Sequence, residues 1–212
     1  MPRKHIVISG TGRTGTSFLV ELLTHLGLDT GYQPEEIARH KSQKARAGLE
    51  HDIRHEGSPY IVKSPWFCDH ATEVLDREDI TIEHVFIPMR DLQAAAESRR
   101  FVTQETVSSF SLLKRIKFHF FPKTVAGGIW HTDDGRRQET VLLEQVYNLT
   151  LSLSNSRIPV TLLRYPLLVN DPSYLFDKLQ PLLGDKNYIE FKSVFNRVAN
   201  RDLVHSFSAN DR

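Results

Sequence analysis

The sequence predicts an α/β fold, with an open parallel sheet of four or five strands and helices on both faces, in a single domain. Short apolar runs rich in β-branched residues alternate with amphipathic helical patterns, which is the order expected of βαβ units. The runs are continuously apolar, as is typical of strands that helices cover on both faces. The chain of 212 residues is 40% hydrophobic, enough for one well-buried core but short for two.

The individual elements follow from these patterns. Four runs are interpreted as strands, at residues 5–9, 60–63, 82–89 and 160–165. Helical patterns cover five stretches, at residues 16–26, 34–50, 91–101, 138–154 and 172–183. Residues 106–137 fit neither period and are interpreted as an irregular insertion within the single domain 1–212, lying over the ligand site. Ligands of open parallel sheets bind at the carboxyl ends of the strands, so the site is expected there.

Composition and charge argue against several classes of function. The 27 Lys and Arg residues nearly balance the 26 Asp and Glu residues, which disfavours nucleic acid or a membrane surface as a partner. Cys68 is the single cysteine, so no intrachain disulfide and no cysteine-based metal site are expected. No apolar run reaches the roughly 18–20 residues of a membrane span. The strand pattern near the N-terminus leaves no room for a secretory signal, and a cytoplasmic protein is predicted. The oligomeric state is left open.

An anion-binding loop is predicted between the first strand and the first helix. Gly10 and Gly15 have the G-x-x-x-x-G spacing of a P-loop, but Thr16 stands where the P-loop lysine would follow, which argues against ATP and magnesium. Glycines let backbone N–H groups face an oxyanion, and the helix adds the positive end of its dipole. Arg13 adds a permanently charged guanidinium. The candidate binding residues are Gly10, Thr11, Gly12, Arg13, Thr14, Gly15, Thr16 and Ser17.

This loop resembles that of the sulfotransferases that use 3′-phosphoadenosine 5′-phosphosulfate (PAPS). Their 5′-phosphosulfate loop reads Lys or Arg, Ser or Thr, Gly, Thr, and then Thr or Ser, and residues 13–17, RTGTS, match it at every position. Arg13 stands at the first position of this motif, where the carbohydrate and bacterial branches of the family also have arginine. The resemblance implies a P-loop-type fold, PAPS as the sulfuryl donor, adenosine 3′,5′-bisphosphate as the product and no metal ion.

The family also has a 3′-phosphate motif, an arginine at a strand end with a serine eight residues later in the next helix. Arg90 and Ser98 stand at that interval. Asp91 is a good N-cap residue, and the helix it begins would carry Ser98 on a face near the strand end. Many members have a proline where this chain has Leu92, but both implied phosphate ligands are present.

Two further segments resemble family elements less specifically. Residues 162–172, LLRYPLLVNDP, place Tyr165 near the nucleotide, although Pro166 replaces the family's acidic residue. Residues 61–67, IVKSPWF, place Lys63 at the end of the second strand, facing the same crevice. Without the resemblance, Tyr165 is equally a half-buried strand-end tyrosine, and Lys63 is equally a surface lysine whose stem packs on the protein.

The resemblance implies an in-line transfer of the sulfuryl group to a hydroxyl or amine of a small molecule, a lipid or a carbohydrate. Arg13, the loop amides and Lys63 would stabilise negative charge on the departing bisphosphate. The acceptor needs a general base, for which Glu36 or Glu35 is favoured. The other candidates for this base are Asp69 and His70.

Two other functions stay open on the sequence. A P-loop kinase would use ATP and magnesium, and a non-catalytic nucleotide-binding protein could have the same fold. The acceptor pocket is expected under the insertion, where Trp130, His131 and the aromatic cluster 118–121 either line it or pack the insertion down.

Overall fold

The protein is an open four-stranded parallel sheet with helices on both faces, in a single domain, as the sequence predicts. The computed structural model describes residues 1–41, 48–111, 113 and 125–200. The strands are β1 (Arg3–Ile8), β2 (Ile61–Lys63), β3 (Ile80–Met89) and β4 (Val160–Arg164). Their spatial order is β2-β1-β3-β4, so β1 lies inside the sheet and ends between two neighbouring strands.

Helices account for most of the remaining described chain. They are α1 (Thr16–His25), α2 (Ile37–His40), α3 (Phe67–Leu75), α4 (Leu92–Ser108), α5 (Gln138–Asn155), α6 (Leu167–Asn170), α7 (Pro172–Leu183) and α8 (Tyr188–Val198). The patterns that predicted α1, α4, α5 and α7 are confirmed, whereas α3, α6 and α8 were not predicted. None of the helices in the described ranges is both long and apolar enough to cross a membrane.

The continuous apolar runs are explained by a core on each side of the sheet. In β1, Ile6 and Ile8 pack against α1, α7 and α8, whereas Val7 packs with α3 and α5 on the opposite face. Alternate residues of a strand point to opposite faces. Every residue in the second half of β1 must therefore be apolar.

Among the described residues, the predicted helix over 34–50 is confirmed only at residues 37–40 and is wrong for the others. Helix α2 covers only Ile37–His40, and Lys41 already has an extended backbone with φ −94° and ψ 125°. Lys41 forms an isolated antiparallel bridge with Gly48, so the chain turns back. Residues 42–47 lie outside the described part. Tertiary contacts to β2, described below, hold residues 48–50 and override the local helical pattern.

The proposed insertion over 106–137 is shorter than the sequence indicated. Helix α4 continues to Ser108, beyond the predicted end near residue 101. Residues 112 and 114–124, including the aromatic cluster 118–121, lie outside the described residues. Residues 125–134 form neither helix nor strand, and a 3-10 turn at Gly135–Arg137 leads into α5.

Candidate functional site

The loop between β1 and α1 has a backbone that exposes amides at the start of the helix. Gly10, Gly12 and Gly15 have φ values of 125°, 64° and 87°, and Arg13 has a φ of 58°, which is uncommon outside glycine. Gly15 is the N-cap of α1, and no side chain caps the helix there. The first amides of a helix need partners and carry the positive end of its dipole. The loop thus presents donors suited to an anion.

The structure brings the two predicted anion motifs together. Arg13 Nε donates to Ser98 Oγ at 3.2 Å, and Arg90 Nη1 donates to the carbonyl of Arg13 at 3.2 Å. The Arg90 guanidinium also lies 4.8 Å from the ring centroid of Tyr165. Asp91 caps α4 by accepting from the Ala94 amide at 2.8 Å, as predicted. Arg90 is 77 positions and Ser98 is 85 positions from Arg13 in the sequence, yet the three residues lie together in one basic cluster.

Sequence reasoning missed Arg99, a buried arginine behind the loop. Its Nε and Nη2 both donate to the carbonyl of Thr11, and its Nη1 donates to the carbonyl of Gly128 at 2.6 Å. Burial and the nearby charge of Arg13 lower its pKa to about 10, so it stays charged at neutral pH. Helical spacing could have found it, because Arg99 follows Ala95 and Ala96 by four and three residues, on their buried face.

Lys63 is held by three acceptors at the end of β2. Its Nζ donates to Ser17 Oγ at 2.8 Å, to the carbonyl of Gly48 at 2.5 Å and to Glu50 Oε1 at 2.8 Å. Lys63 is only 2% exposed, so it is not a surface lysine. Burial lowers its pKa, and the Glu50 carboxylate opposes that shift. Lys63 thereby joins the anion loop to the 48–50 segment.

These groups surround a cavity of about 1450 Å³ at the carboxyl ends of the strands. Predicted residues that line it are Gly12, Arg13, Gly15, Thr16, Ser17, Lys63, Arg90, Ser98 and Tyr165. Gly10, Thr11 and Thr14 do not line it. Thr11 instead supplies the carbonyl that Arg99 binds, and Thr14 Oγ1 is buried with no hydrogen-bond partner in the described part of the chain.

The predicted base candidates lie elsewhere. Glu35 and Glu36 are exposed and do not line the cavity. Asp69 pairs with His131 at 3.0 Å, and His70 lies 3.7 Å from Glu73. The carboxylates that line the cavity within the described ranges are those of Glu21 and Glu50.

Glu50 was missed because the helical interpretation of 34–50 gave it no reason to face the site. Its Oε1 accepts from the Gly48 amide at 3.0 Å as well as from Lys63. Among the described residues, no hydrogen bond reaches Oε2. Glu21, by contrast, is paired with Lys41 at 2.5 Å.

Both tryptophans of the chain, Trp66 and Trp130, line the cavity. Trp130 belongs to the segment after the undescribed residues, which supports the expectation that this stretch borders the site. No protein-family model and no curated protein matches the chain, so the resemblance rests on the motif residues and their geometry.

Proposed function

We propose that this protein is a sulfotransferase that moves a sulfuryl group from PAPS to a hydroxyl or amine acceptor. The observation that carries the proposal is the convergence of Arg13, Arg90 and Ser98 beside a loop that lacks the P-loop lysine. The buried Arg99 adds a further positive charge whose bonding partners are two carbonyls. Within the described residues no carboxylate bonds to Arg99, and a buried charge without a counter-ion is costly, so an anionic ligand here would be bound favourably.

The donor would be held at two points. The amides of the loop, with Arg13, Thr16 and Ser17, would bind the phosphosulfate end. Arg90 and Ser98 would bind the 3′-phosphate, and Tyr165 would lie beside the nucleotide. A sulfuryl group carries less charge than a phosphoryl group, so this set of cations serves without a magnesium ion.

The chemistry is an in-line displacement at sulfur. The acceptor oxygen or nitrogen forms a bond to sulfur while the bond from sulfur to the phosphate oxygen breaks, and the bisphosphate leaves with that electron pair. Arg13 and the loop amides stabilise the charge that develops on the leaving oxygen. Lys63, held on Ser17 and Glu50, acts through the field of its charge and the position of those two groups.

Glu50 is the proposed general base that takes the acceptor's proton. Its carboxylate lines the cavity, Lys63 and the Gly48 amide fix Oε1, and Oε2 remains for the acceptor hydroxyl. The acceptor itself is a small molecule, a lipid or a carbohydrate, and Trp66 and Trp130, which line the cavity, would provide apolar contacts to it.

Thermal stabilisation by nucleotides tests the proposal. Adenosine 3′,5′-bisphosphate at a hundredfold excess over its dissociation constant should stabilise the fold by about 2.7 kcal/mol. ATP with magnesium at equal concentration should give a smaller shift, and a shift with ATP and magnesium alone would instead favour a kinase. Transfer from PAPS to a panel of hydroxyl compounds is then measured. Binding of the bisphosphate without turnover on any acceptor class would favour a non-catalytic binding protein.

A further inference from the structure

The side chain of Arg99 connects the anion loop to one wall of the cavity. Nε and Nη2 donate to the Thr11 carbonyl, with the Nε bond at 3.1 Å, while Nη1 donates to the Gly128 carbonyl. We propose that Arg99 is a positioning residue that couples the loop to residues 125–130, here called the wall segment, so that an anion bound at the loop is sensed at Trp130. The identity of that anion rests on the proposed function.

The wall segment is anchored to the same helix that carries Arg99. Thr103, one turn further along α4, accepts from the Ile129 amide at 2.8 Å. Gln138 at the start of α5 accepts from the Trp130 amide at 2.7 Å and donates to the Trp130 carbonyl at 3.3 Å. These bonds fix Ile129 and Trp130, so a shift of Gly128, which Arg99 binds, should change the position of Trp130 relative to Arg99.

Arg99 also contacts Trp130 directly. Its guanidinium carbon lies 5.1 Å from the indole centroid, within the range of a cation–π interaction. A guanidinium is planar and donates in fixed directions, so its orientation is set by both carbonyls at once. The loop packs closely against Arg99, because a Cβ added to Gly12 would lie 2.8 Å from Nη2. Movement of the loop therefore changes what Trp130 contacts.

Charge gives a reason for the loop to respond to an anion. Arg13 lies close enough to contribute to the lowered pKa of Arg99, behind the larger effect of burial. An anion between the loop amides and Arg13 offsets that repulsion and strengthens the bonds of Arg99 to Thr11 and Gly128. Coupling between two sites is reciprocal, so a donor at the loop also favours ligand binding at the wall.

The fluorescence of Trp130 tests this coupling. The chain has two tryptophans, so W66F leaves Trp130 as the single emitter. Adenosine 3′,5′-bisphosphate, and separately inorganic pyrophosphate, is titrated while calorimetry reports binding. We expect binding to change the Trp130 emission, and most of that change to be lost in R99K and R99Q at saturating ligand. R99K retains the charge but cannot donate to both carbonyls from one planar group.

The matched control is R100Q. Arg100 is the next residue of α4, donates to the Gly135 carbonyl at 2.8 Å and pairs with Glu97 at 3.1 Å, without a bond to the loop. R100Q should retain the emission change. Circular dichroism identifies any variant that fails to fold. If R99Q fails to fold, the comparison rests on R99K.

Each outcome bears on one of the two proposals. If the bisphosphate binds to W66F but the Trp130 emission does not change, the coupling is overturned and the proposed function stays intact. The same holds if R99K shows an emission change equal to that of W66F. If neither anion binds by calorimetry, the proposed function fails, and the coupling is judged without ligand. Acrylamide quenching of Trp130 should then be greater in R99K than in R100Q. Equal quenching in the two variants overturns the coupling.

Discussion

Nζ of Lys63 donates to Oε1 of Glu50 at 2.8 Å, and the lysine side chain is 2% exposed whereas the glutamate side chain is 20% exposed. The pair joins the end of β2 to the segment that follows the undescribed residues 42–47. Because the ammonium is buried, Glu50 compensates a charge that water does not reach. Glu50 also lines the cavity, so the same residue stabilises the fold and is the proposed general base.

Removing Glu50 should destabilise the protein. E50A removes the carboxylate that pairs with the buried Lys63 ammonium, and we expect the free energy of unfolding to fall by about 2 kcal/mol, less than for a fully buried pair. The control is E21A, since Glu21 is 21% exposed but its partner Lys41 is 30% exposed; its loss should be below about 1 kcal/mol. Urea unfolding measures both. Equal losses in the two variants would contradict a special role for the buried lysine.

Glu50, and not Glu36, should be needed for turnover. E50Q keeps the size of the side chain and an acceptor oxygen but removes the proposed base, so kcat should fall by roughly a hundredfold or more. Affinity for adenosine 3′,5′-bisphosphate should stay near the parent value. E36Q, at an exposed position outside the cavity, should have the parent kcat. A large loss in E36Q with little in E50Q would restore the original assignment of the base.

Arg90 should contribute directly to nucleotide affinity. R90Q would remove the proposed charge-assisted contact to the 3′-phosphate and should raise the dissociation constant of adenosine 3′,5′-bisphosphate about tenfold to a hundredfold. R164Q changes the net charge equally at an exposed position at the end of β4, outside the cavity, and should change affinity little. Calorimetry at fixed salt compares the two. Similar weakening in both variants would mean that only the overall charge matters.

Stability and bisphosphate binding should both require glycine at position 12, because of its positive φ and because it has no side chain. G12A puts a Cβ 2.8 Å from Nη2 of Arg99 at a φ of +64°, while G27A puts one into open space at a φ of +76°. Strain at positive φ costs roughly 1–2 kcal/mol in each. The clash adds to that cost only in G12A, which should also weaken bisphosphate binding. If both variants bind the bisphosphate as the parent does, the close approach of loop and Arg99 is unimportant.

The protein should lose stability in mild acid through His5. This histidine is 1% exposed, its Nδ1 lies 2.7 Å from the Pro59 carbonyl, and burial lowers its pKa. Between that lowered pKa and the ordinary value of about 6.5, the unfolded chain binds more protons than the folded protein. The free energy of unfolding therefore falls as the pH drops through this window, by at most about 1.4 kcal/mol per pH unit.

The variant H5N isolates that contribution. Its unfolding free energy, measured from pH 7 downwards, should fall less steeply than that of the parent protein. Parallel profiles would show that His5 does not set the slope.

Local patterns were sufficient where the chain's own periodicity fixes the structure. The apolar run of β1 and the stripe of α1 predicted their elements within about two residues, because burial on a sheet face or a helix face is read directly from spacing. Asp91 was predicted as a cap for the same reason, since a cap acts on the amide three residues ahead. The choice of Arg90 and Ser98 as one motif needed the family resemblance in addition, and the bond between Arg13 and Ser98 was not predicted.

The sequence by itself determined the parallel sheet and the loop without its lysine, and it singled out Arg13 and Arg90 as basic residues beside that loop. Only the tertiary structure decided that Glu50 meets Lys63 and that Arg99 meets both Thr11 and Gly128, across 13, 88 and 29 positions of the chain. The reason is physical. A buried charge must find its partners wherever the packed fold brings acceptors close, and no local periodicity specifies contacts between segments that only the sheet brings together.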